Sequence, residues 1–465
     1  MIDAFRLALP IGLAAYCIYQ AVRRPIFLLG MPFLHVMRVS VFFDAIRPLS
    51  LPGAWGGTNG AVLLWIVLAW AWCAYQSTIK TDLTGTSGVW RPARRLPEEY
   101  LLVALGVLVF AKLVWGGFGP ADTRTLLSQF APWGLLLVGF WLVRGVVRRS
   151  SSDDVAAFML FVAVATGIAS VLFILHQGLR IPVYHVTEYL VFSFEGKTLS
   201  RTYWFMSPFL LVPLAVGFAR RSWSLGGIAL VVVTMVAVVV SYTRNYLLAA
   251  AAVVMVLLAL RSLKEGRPAL FLRNLSAVGA VLAFVVVIML VALPTPTGFF
   301  LSRMESLTHT STVVEDQNLL VRYSDLRTVT SNLSQRGLLL VGAPFGVADG
   351  MSQEVRHSTA DSTWTGTVFW TGLIGAALVV SLFFLFGLRA FRLFMSSDKT
   401  AEFLGAVFFA LIIAMFIMSL TNWTFLDPNT CAMGFWLFAF IAGATKTLSS
   451  GKSIASASVA SRSSR

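Results

Sequence analysis

The chain has 465 residues, of which 57% are hydrophobic and only 12% charged, and its formal net charge is +15 at pH 7. Repeated apolar runs are long enough to cross about 30 Å of hydrocarbon as helices, which excludes a soluble protein. Runs such as 155–174 and 225–240 are near-continuous, whereas the strands of an outer-membrane barrel alternate over about ten residues. The composition therefore predicts an all-α polytopic membrane protein.

Eleven membrane spans are predicted in chain order. They lie near 60–77, 99–117, 126–147, 155–176, 202–219, 225–242, 245–260, 274–293, 367–388, 403–421 and 430–446. The first 57 residues add either one crossing and an interfacial helix, for twelve spans with both ends inside, or two crossings, for thirteen with the amino terminus outside. We prefer twelve. Residues 2–21 carry no convincing small-residue cleavage site, so no removable signal peptide is predicted.

The turns between these spans fall into two sets by charge. The basic turns are 78–98, 144–154, 220–221, 261–273 and 389–400. The positive-inside rule assigns them to the cytoplasm. Alternation then puts the remaining turns outside: 118–125, 177–201, 243–244, 294–366 and 422–429. No span has to be skipped, so the charge pattern and the apolar pattern agree.

This layout divides the chain into four parts. They are an amino-terminal transmembrane bundle (1–293), a large extracytoplasmic loop (294–366), carboxy-terminal transmembrane helices (367–446) and a tail (447–465). The tail is rich in serine and alanine and predicts a disordered cytoplasmic end. The three cysteines lie in or beside apolar segments and form no metal or disulfide pattern.

The large loop is the one long polar stretch of the chain, and it is rich in arginine. Its arginines are Arg303, Arg322, Arg327, Arg336 and Arg356. The positive-inside rule does not explain basic residues on this side. Arginine in place of lysine favours bidentate binding of phosphate or carboxylate, because the guanidinium is a planar fork of donors. The alternative is local pairing, since eleven Asp and Glu residues share this side.

Arg244 is set apart from those arginines by its position. It lies in a six-residue polar hinge, 241–246, between two long apolar helices, with no acidic residue nearby in sequence. A hinge this short would hold its arginine at the level of the lipid headgroups, beside a lipid-linked phosphate. The alternative is a snorkelling arginine at a helix end.

Two further features of the large loop predict parts of a site. Residues 315–336 have helical periodicity, which predicts an amphipathic helix on the outer membrane surface or capping the bundle. Further on, Arg356 and His357 precede the next span. A histidine can accept a proton from a hydroxyl, and an adjacent arginine would keep it neutral. A lone loop histidine can equally be a solvated side chain.

Three segments together resemble the O-antigen ligase and Wzy-type polymerase superfamily of bacterial surface-polysaccharide assembly. Tyr-Thr-Arg-Asn-Tyr-Leu-Leu-Ala at 242–249 is similar to its arginine hinge. Arg-Tyr-Ser-Asp-Leu-Arg at 322–327, with the glycine turn at 340–346, resembles its arginine helix. The histidine segment 357–364, leading into Trp-Thr-Gly-Leu-Ile-Gly at 370–375, is similar to its histidine loop. The family commonly has Asn after the histidine, where this chain has Ser358.

The resemblance implies a GT-C-like glycosyltransferase that acts at the periplasmic face of the bacterial inner membrane, without a metal or other cofactor. Its donor would be an oligosaccharide on undecaprenyl diphosphate, and its acceptor a sugar hydroxyl. The other partners implied are membrane lipids and further polysaccharide-assembly proteins, with no nucleic acid.

The resemblance also implies roles for individual residues, and these fit the chemistry of the reaction. Arg244 and Arg322, with Arg327 as a weaker candidate, would bind the diphosphate and stabilise its growing charge. His357 would orient or deprotonate the acceptor hydroxyl. Supporting roles fall to Tyr242, Arg356 and Asp361.

Three alternatives remain open at the level of sequence. An O-antigen ligase would use the same donor and transfer the glycan to lipid A core, whereas the favoured polymerase transfers it to another lipid-linked repeat. A transporter of polysaccharide or lipid-linked sugar would bury ionisable residues within its spans, where this chain has little beyond Lys112. A receptor or scaffold would not need the outer arginines.

Overall fold

A computed structural model shows a bundle of long helices with one short β-hairpin. It describes residues 2–36, 57–84, 96–119, 123–179, 181, 188–194, 197–202, 208–220, 224–241, 243–292, 294, 297–298, 301, 317–346, 363–420 and 433–445. The predicted disordered tail lies outside the described residues.

The described residues form fourteen helices, of which thirteen have eight residues or more and one, near the amino terminus, has seven. The first six are α1 (Ile2–Arg23), α2 (Gly30–Val36), α3 (Gly57–Thr84), α4 (Pro97–Gly117), α5 (Thr123–Arg149) and α6 (Ser152–Gln177). The next four are α7 (Val212–Ala219), α8 (Leu225–Val240), α9 (Arg244–Glu265) and α10 (Pro268–Ala292). The last four are α11 (Gln317–Gln335), α12 (Thr363–Phe394), α13 (Lys399–Ser419) and α14 (Trp436–Thr445).

Each predicted span contains a helix. Within the described residues, six helices are long and apolar enough to cross a membrane, namely Pro97–Gly117, Thr125–Arg149, Ser152–Gln177, Asn245–Glu265, Thr363–Phe394 and Lys399–Ser419. Shorter apolar helices accompany them, among them Leu225–Val240 and Trp436–Thr445. These lengths and compositions confirm the prediction of an apolar helical bundle of the polytopic membrane class.

The chain between α6 and α7 differs from the expected polar loop. Strands β1 (Glu188–Phe194) and β2 (Lys197–Thr202) pair antiparallel, and Phe194 lies opposite Lys197. The span predicted to start at 202 therefore begins later, because residue 202 belongs to β2 and a 3-10 turn at Pro208–Leu211 leads into α7. The helical prediction holds for the apolar segments, with a hairpin in the polar segment between them.

Aromatic side chains fill the core where several helices meet. The ring of Phe33 in α2 lies 4.8 Å from that of Phe209 and 5.2 Å from that of Trp436, both edge to face. Phe158 of α6 adds a third neighbour at 5.9 Å. The short α2 thus points apolar rings into the bundle, and this burial anchors the amino-terminal segment.

The helix ends predicted to be cytoplasmic lie together in the structure, and we call this the basic end. Lys264 near the end of α9 forms an ion pair of 2.9 Å with Glu402 near the start of α13. Asp154 at the start of α6 forms one of 3.1 Å with Arg24, which follows α1. We call the other end of the bundle, where α9 begins and α13 ends, the opposite end.

Two buried acids at the start of α4 are paired with arginines from other helices. The guanidinium of Arg389 in α12 donates two hydrogen bonds of 2.9 Å to the carboxylate of Glu98. Glu99 forms an ion pair with Arg144 of α5, whose guanidinium also lies 5.1 Å from the ring of Trp141. These contacts join α4, α5 and α12 at the basic end.

The carboxy-terminal boundary of the large loop differs from the prediction. Helix α12 begins at Thr363, four residues before the predicted start of the span at 367. The structure also departs from a simple helix further along, because Gly372 adopts φ 67° and ψ −169° and breaks α12 into two parts. This break is the feature around which the candidate site is built.

Candidate functional site

The glycine turn after α11 is hydrogen-bonded into the break in α12. The backbone N–H of Ala343 donates to the carbonyl of Phe369 over 2.8 Å. In the other direction, the N–H groups of Leu373 and Ile374 donate to the carbonyls of Leu339 and Leu340 over 3.0 and 3.1 Å. We call this arrangement, residues 338–343 bonded to 369–374, the glycine clamp. It satisfies the backbone groups that the break in α12 exposes.

The glycine clamp needs glycine at both Gly342 and Gly372. Each has a positive φ, 80° and 67° respectively, which other residues adopt only at a cost. A Cβ on Gly342 would come 2.5 Å from the backbone nitrogen of Gly372, and a Cβ on Gly372 would clash with the carbonyl of Leu340. The two segments therefore approach as closely as bare backbone allows.

Helices α4 and α5 support the turn from the other side. The buried ammonium of Lys112 donates a hydrogen bond of 2.5 Å to the carbonyl of Gly342 and lies 4.6 Å from the ring of Trp115. One helical turn later, Gly116 leaves room for the carbonyl of Phe345. The lone lysine in an apolar span thus has a structural partner 230 residues away.

A side-chain amide completes this support. The N–H of Gly346 donates over 2.6 Å to Oε1 of Gln129 in α5. Phe345 fits between aromatic rings, 6.0 Å from Phe130 and 5.3 Å from Trp370. Three helices, α4, α5 and α12, therefore fix the glycine turn in place.

The glycine clamp holds the arginine helix α11 against the first part of α12. Val329 and Leu333 of α11 are buried in one cluster with Ala343, Val368 and Phe369. Earlier on the helix, Tyr323 and Leu326 are exposed. The helix therefore packs on α12 through Val329 and Leu333, in its carboxy-terminal half.

The two candidate arginines of α11 lie on different sides of that helix. Position 322 is seven residues before Val329, about 20° short of two full turns, so its backbone lies on the same side as the contact face. Position 327 is roughly 160° away from Val329, and the Arg327 side chain is exposed. Position 322 therefore shares the side of α11 that packs on α12, and position 327 does not.

Arg244 is the first residue of α9, after a tightly bonded turn. Ser241 and Thr243 are both buried. The hydroxyl of Thr243 donates to the carbonyl of Ser241 over 3.1 Å, so it does not cap the helix. The amino-terminal N–H groups of α9 therefore keep the partial positive charge that makes a helix start attractive to anions.

The start of α9 and the start of α12 lie at the same end of α13. Helices α9 and α13 have 22 and 21 residues, about 32 Å each, and the ion pair between Lys264 and Glu402 joins the end of one to the start of the other. At the far end of α13, Nε1 of Trp364 donates over 3.0 Å to the hydroxyl of Ser419. The starts of α9 and α12 thus lie at the same end of the bundle.

Several predicted site residues fall where the structure gives no side-chain position. Tyr242, Arg356, His357 and Asp361 lie outside the described residues. Arg244 and Arg322 are placed as helix positions only, without their side chains. The convergence of Arg244, Arg322 and His357 on one cavity stays a prediction. The structure places the starts of α9 and α12 at the same end of the bundle, and α11 packs on α12.

Sequence reasoning missed the residues that support the site. Lys112 is a charge within an apolar span, which indicates a partner inside the membrane. The sequence does not indicate that this partner is a backbone carbonyl. Nothing in the sequence indicates that Gln129 supports the site. Among the described residues, no three His, Cys, Asp or Glu side chains come together to hold a metal ion.

No protein-family model matches the chain, and no curated protein matches it.

Proposed function

We propose that the protein is a glycosyltransferase that transfers a glycan from undecaprenyl diphosphate to a sugar hydroxyl, at the outer face of a bacterial inner membrane. Its favoured product is a longer lipid-linked chain, which makes it a polymerase of surface or exopolysaccharide repeats. The fold proposed is GT-C-like. The active site faces the periplasm at the opposite end of the bundle.

The glycine clamp is the observation that carries this proposal. It fixes the arginine helix α11 beside the first part of α12, and α12 begins six residues after His357. The clamp segments coincide with the glycine turn and the Trp-Thr-Gly-Leu-Ile-Gly motif that carry the family resemblance. An arginine helix held in a fixed position is what accurate placement of a diphosphate donor requires.

The proposed reaction breaks one bond and forms one. The acceptor hydroxyl oxygen attacks the anomeric carbon of the donor sugar, and the bond from that carbon to the diphosphate oxygen breaks. The hydroxyl proton passes to His357, and undecaprenyl diphosphate leaves with an additional negative charge. Arg244, Arg322 and the N–H groups at the start of α9 stabilise that charge, which is greater in the transition state than in the bound donor.

The contacts of α1 bear on the number of crossings. Arg24 pairs with Asp154 at the basic end, and the ring of Tyr16 stacks on Phe161 at 5.7 Å. Helix α1 therefore runs along α6 and not across its end. This direction favours thirteen crossings, with the amino terminus outside, over the preferred twelve. We therefore propose thirteen crossings.

The test is a transfer assay with purified protein and undecaprenyl-diphosphate oligosaccharide, with products separated by length. We expect His357→Ala, Arg244→Ala and Arg322→Ala each to lower the transfer rate by about 10²- to 10³-fold, because each removes a group that acts on the transition state. Arg327→Ala is expected to have a smaller effect. Arg267→Ala, an exposed position at the basic end, is the matched control and keeps its activity.

The acceptor decides between the enzyme classes. Longer lipid-linked chains indicate a polymerase, whereas transfer only to added lipid A core indicates a ligase. Full activity in all three variants, or movement of intact donor across a vesicle membrane without new glycosidic bonds, would refute the proposal and favour a transporter.

A further inference from the structure

Two cavities at the basic end share one arginine. The first, of about 310 Å³, lies among the ends of α7, α9 and α12 and the start of α13, and charged residues line part of it. The second, of about 440 Å³, is an apolar groove between α6 and α8. Arg220, which follows α7, lines both of them. A polar cavity and an apolar groove that share an arginine have the form of a site for an amphiphile.

The charged residues of the first cavity are mostly paired with one another. Lys264 pairs with Glu402 at 2.9 Å and also donates to the carbonyls of Phe394 and Ser396 over 3.1 and 3.0 Å. Arg261 pairs with Glu265 at 3.2 Å, one helical turn away. Two cations and two acids therefore balance within the cavity wall.

Arg220 is the surplus charge. Its side chain is partly buried, and among the described residues no hydrogen bond or ion pair involves it. A phosphate group would provide two acceptor oxygens in the geometry that arginine prefers. The cavity thus carries a net charge of +1 beside an apolar groove.

The groove is about as long as one lipid leaflet is thick. Along α8 its lining runs from Ser224 to Val233, nine residues or about 14 Å, which is close to half of the roughly 30 Å hydrocarbon layer. Arg220 and Ser224 lie at one end, and aliphatic side chains of α6 such as Val164 and Val171 continue from there. An acyl chain would fit along this length.

Two glycines form the closed side of the groove. A Cβ on Gly167 of α6 would come 2.5 Å from Leu230 Cδ2, and one on Gly217 of α7 would come 2.5 Å from Val231 Cγ2. Helix α8 therefore packs closely on α6 and α7 below the groove. The groove is a consequence of this packing, with a fixed floor and an open side toward lipid.

We propose that this double cavity binds one anionic phospholipid from the leaflet at the basic end. The phosphate and headgroup contact Arg220 in the first cavity, and an acyl chain lies in the groove between α6 and α8. Anionic lipids are enriched on the cytoplasmic side, to which the basic turns are assigned. The site lies at the other end of the bundle from the proposed catalytic site and does not depend on the proposed function.

The test is native mass spectrometry of the purified, delipidated protein titrated with phosphatidylglycerol or with phosphatidylcholine of identical acyl chains. We expect one high-affinity phosphatidylglycerol that phosphatidylcholine does not replace. Arg220→Gln should weaken this binding roughly five- to tenfold, since one arginine contact with an anionic headgroup is lost. Arg267→Gln removes the same charge at an exposed position of the same end and should leave the affinity unchanged.

A second variant tests the groove separately. Ala229 lines it from α8 and is exposed on its open side, so Ala229→Phe fills the acyl position and leaves Arg220 in place. We expect it to weaken phosphatidylglycerol binding to a similar extent, with an unchanged elution volume on gel filtration. Equal binding of the two lipids, unchanged affinity in Arg220→Gln, or equal losses in Arg220→Gln and Arg267→Gln would overturn the proposal.

Discussion

The two ends of the bundle are held together by different interactions. At the basic end, ion pairs link α4 to α12, α4 to α5 and α9 to α13. At the opposite end, the glycine clamp joins the turn after α11 to α12 through backbone hydrogen bonds. Pairs of charged side chains stabilise the first end, whereas at the second the main-chain atoms of the turn make the contacts, one of them with Lys112.

This difference bears on where chemistry can occur. Charged side chains that hold helices together are paired, and a paired arginine is less available to a substrate. A segment held by its backbone does not use its side chains for that purpose. The opposite end can therefore carry arginine and histidine for binding and still keep a fixed geometry.

The largest expected effect comes from Gly372→Ala, which tests the backbone contact directly. The added methyl group meets the carbonyl of Leu340 at a position with positive φ. We expect a loss of at least about 3 kcal/mol in the free energy of unfolding, measured by thermal unfolding in detergent. Gly279→Ala is the control, because a Cβ there meets nothing within 4 Å. Equal unfolding midpoints in the two variants would contradict the glycine clamp.

Arg389→Met tests the ion pairs at the basic end. It leaves the buried carboxylate of Glu98 without its bidentate partner, and we expect a loss of about 3 kcal/mol. Adding Glu98→Gln removes the isolated charge and should restore part of this loss. A double variant no more stable than the single one, in the same unfolding measurement, would show that the pair contributes little.

Lys112→Met sharpens the comparison, because it removes a charged donor from the opposite end. The hydrogen bond to the carbonyl of Gly342 is lost, and we expect a cost of about 2 kcal/mol. At a temperature where both variants are folded, Lys112→Met should lower glycan transfer more than Arg389→Met does. Equal transfer rates would mean that the two ends do not differ in their importance for the site.

The smallest effect is expected for Arg261→Gln. Its ion pair with Glu265 is partly exposed, so the free energy of unfolding should change by no more than about 0.5 kcal/mol. The change should disappear at 1 M salt, because screening removes the interaction of exposed charges. A loss of stability several times larger, and unchanged by salt, would show that Arg261 stabilises the fold as the buried ion pairs do.

The apolar segments could be predicted from sequence because the signal is local. A run of about twenty apolar residues specifies a helix wherever its neighbours are, and the basic turns gave a grouping of helix ends that the structure reproduces at the basic end. The hairpin was missed although it had a local signal. Residues 188–194 and 197–202 are two short runs with a two-residue Glu-Gly segment between them.

The glycine clamp could not be predicted, because its partners are distant in sequence. The motifs at 340–346 and 370–375 were recognised, yet nothing in their residue types indicates that one is hydrogen-bonded to the other. The same holds for Lys112 and Gln129, whose acceptor and donor lie in the turn more than 200 residues later. Periodicity likewise does not reveal that Val329 and Leu333 are the residues of α11 that pack against α12.

The contact between Lys112 and Gly342 also has a consequence for the order of events during synthesis. The two residues are 230 positions apart, and ribosomes add about 5 to 20 residues per second. The lysine is therefore made roughly 10 to 50 seconds before its acceptor. For that interval the nascent chain carries an apolar segment with an unpaired ammonium group, and biogenesis of the bundle is complete only after residue 342 has reached it.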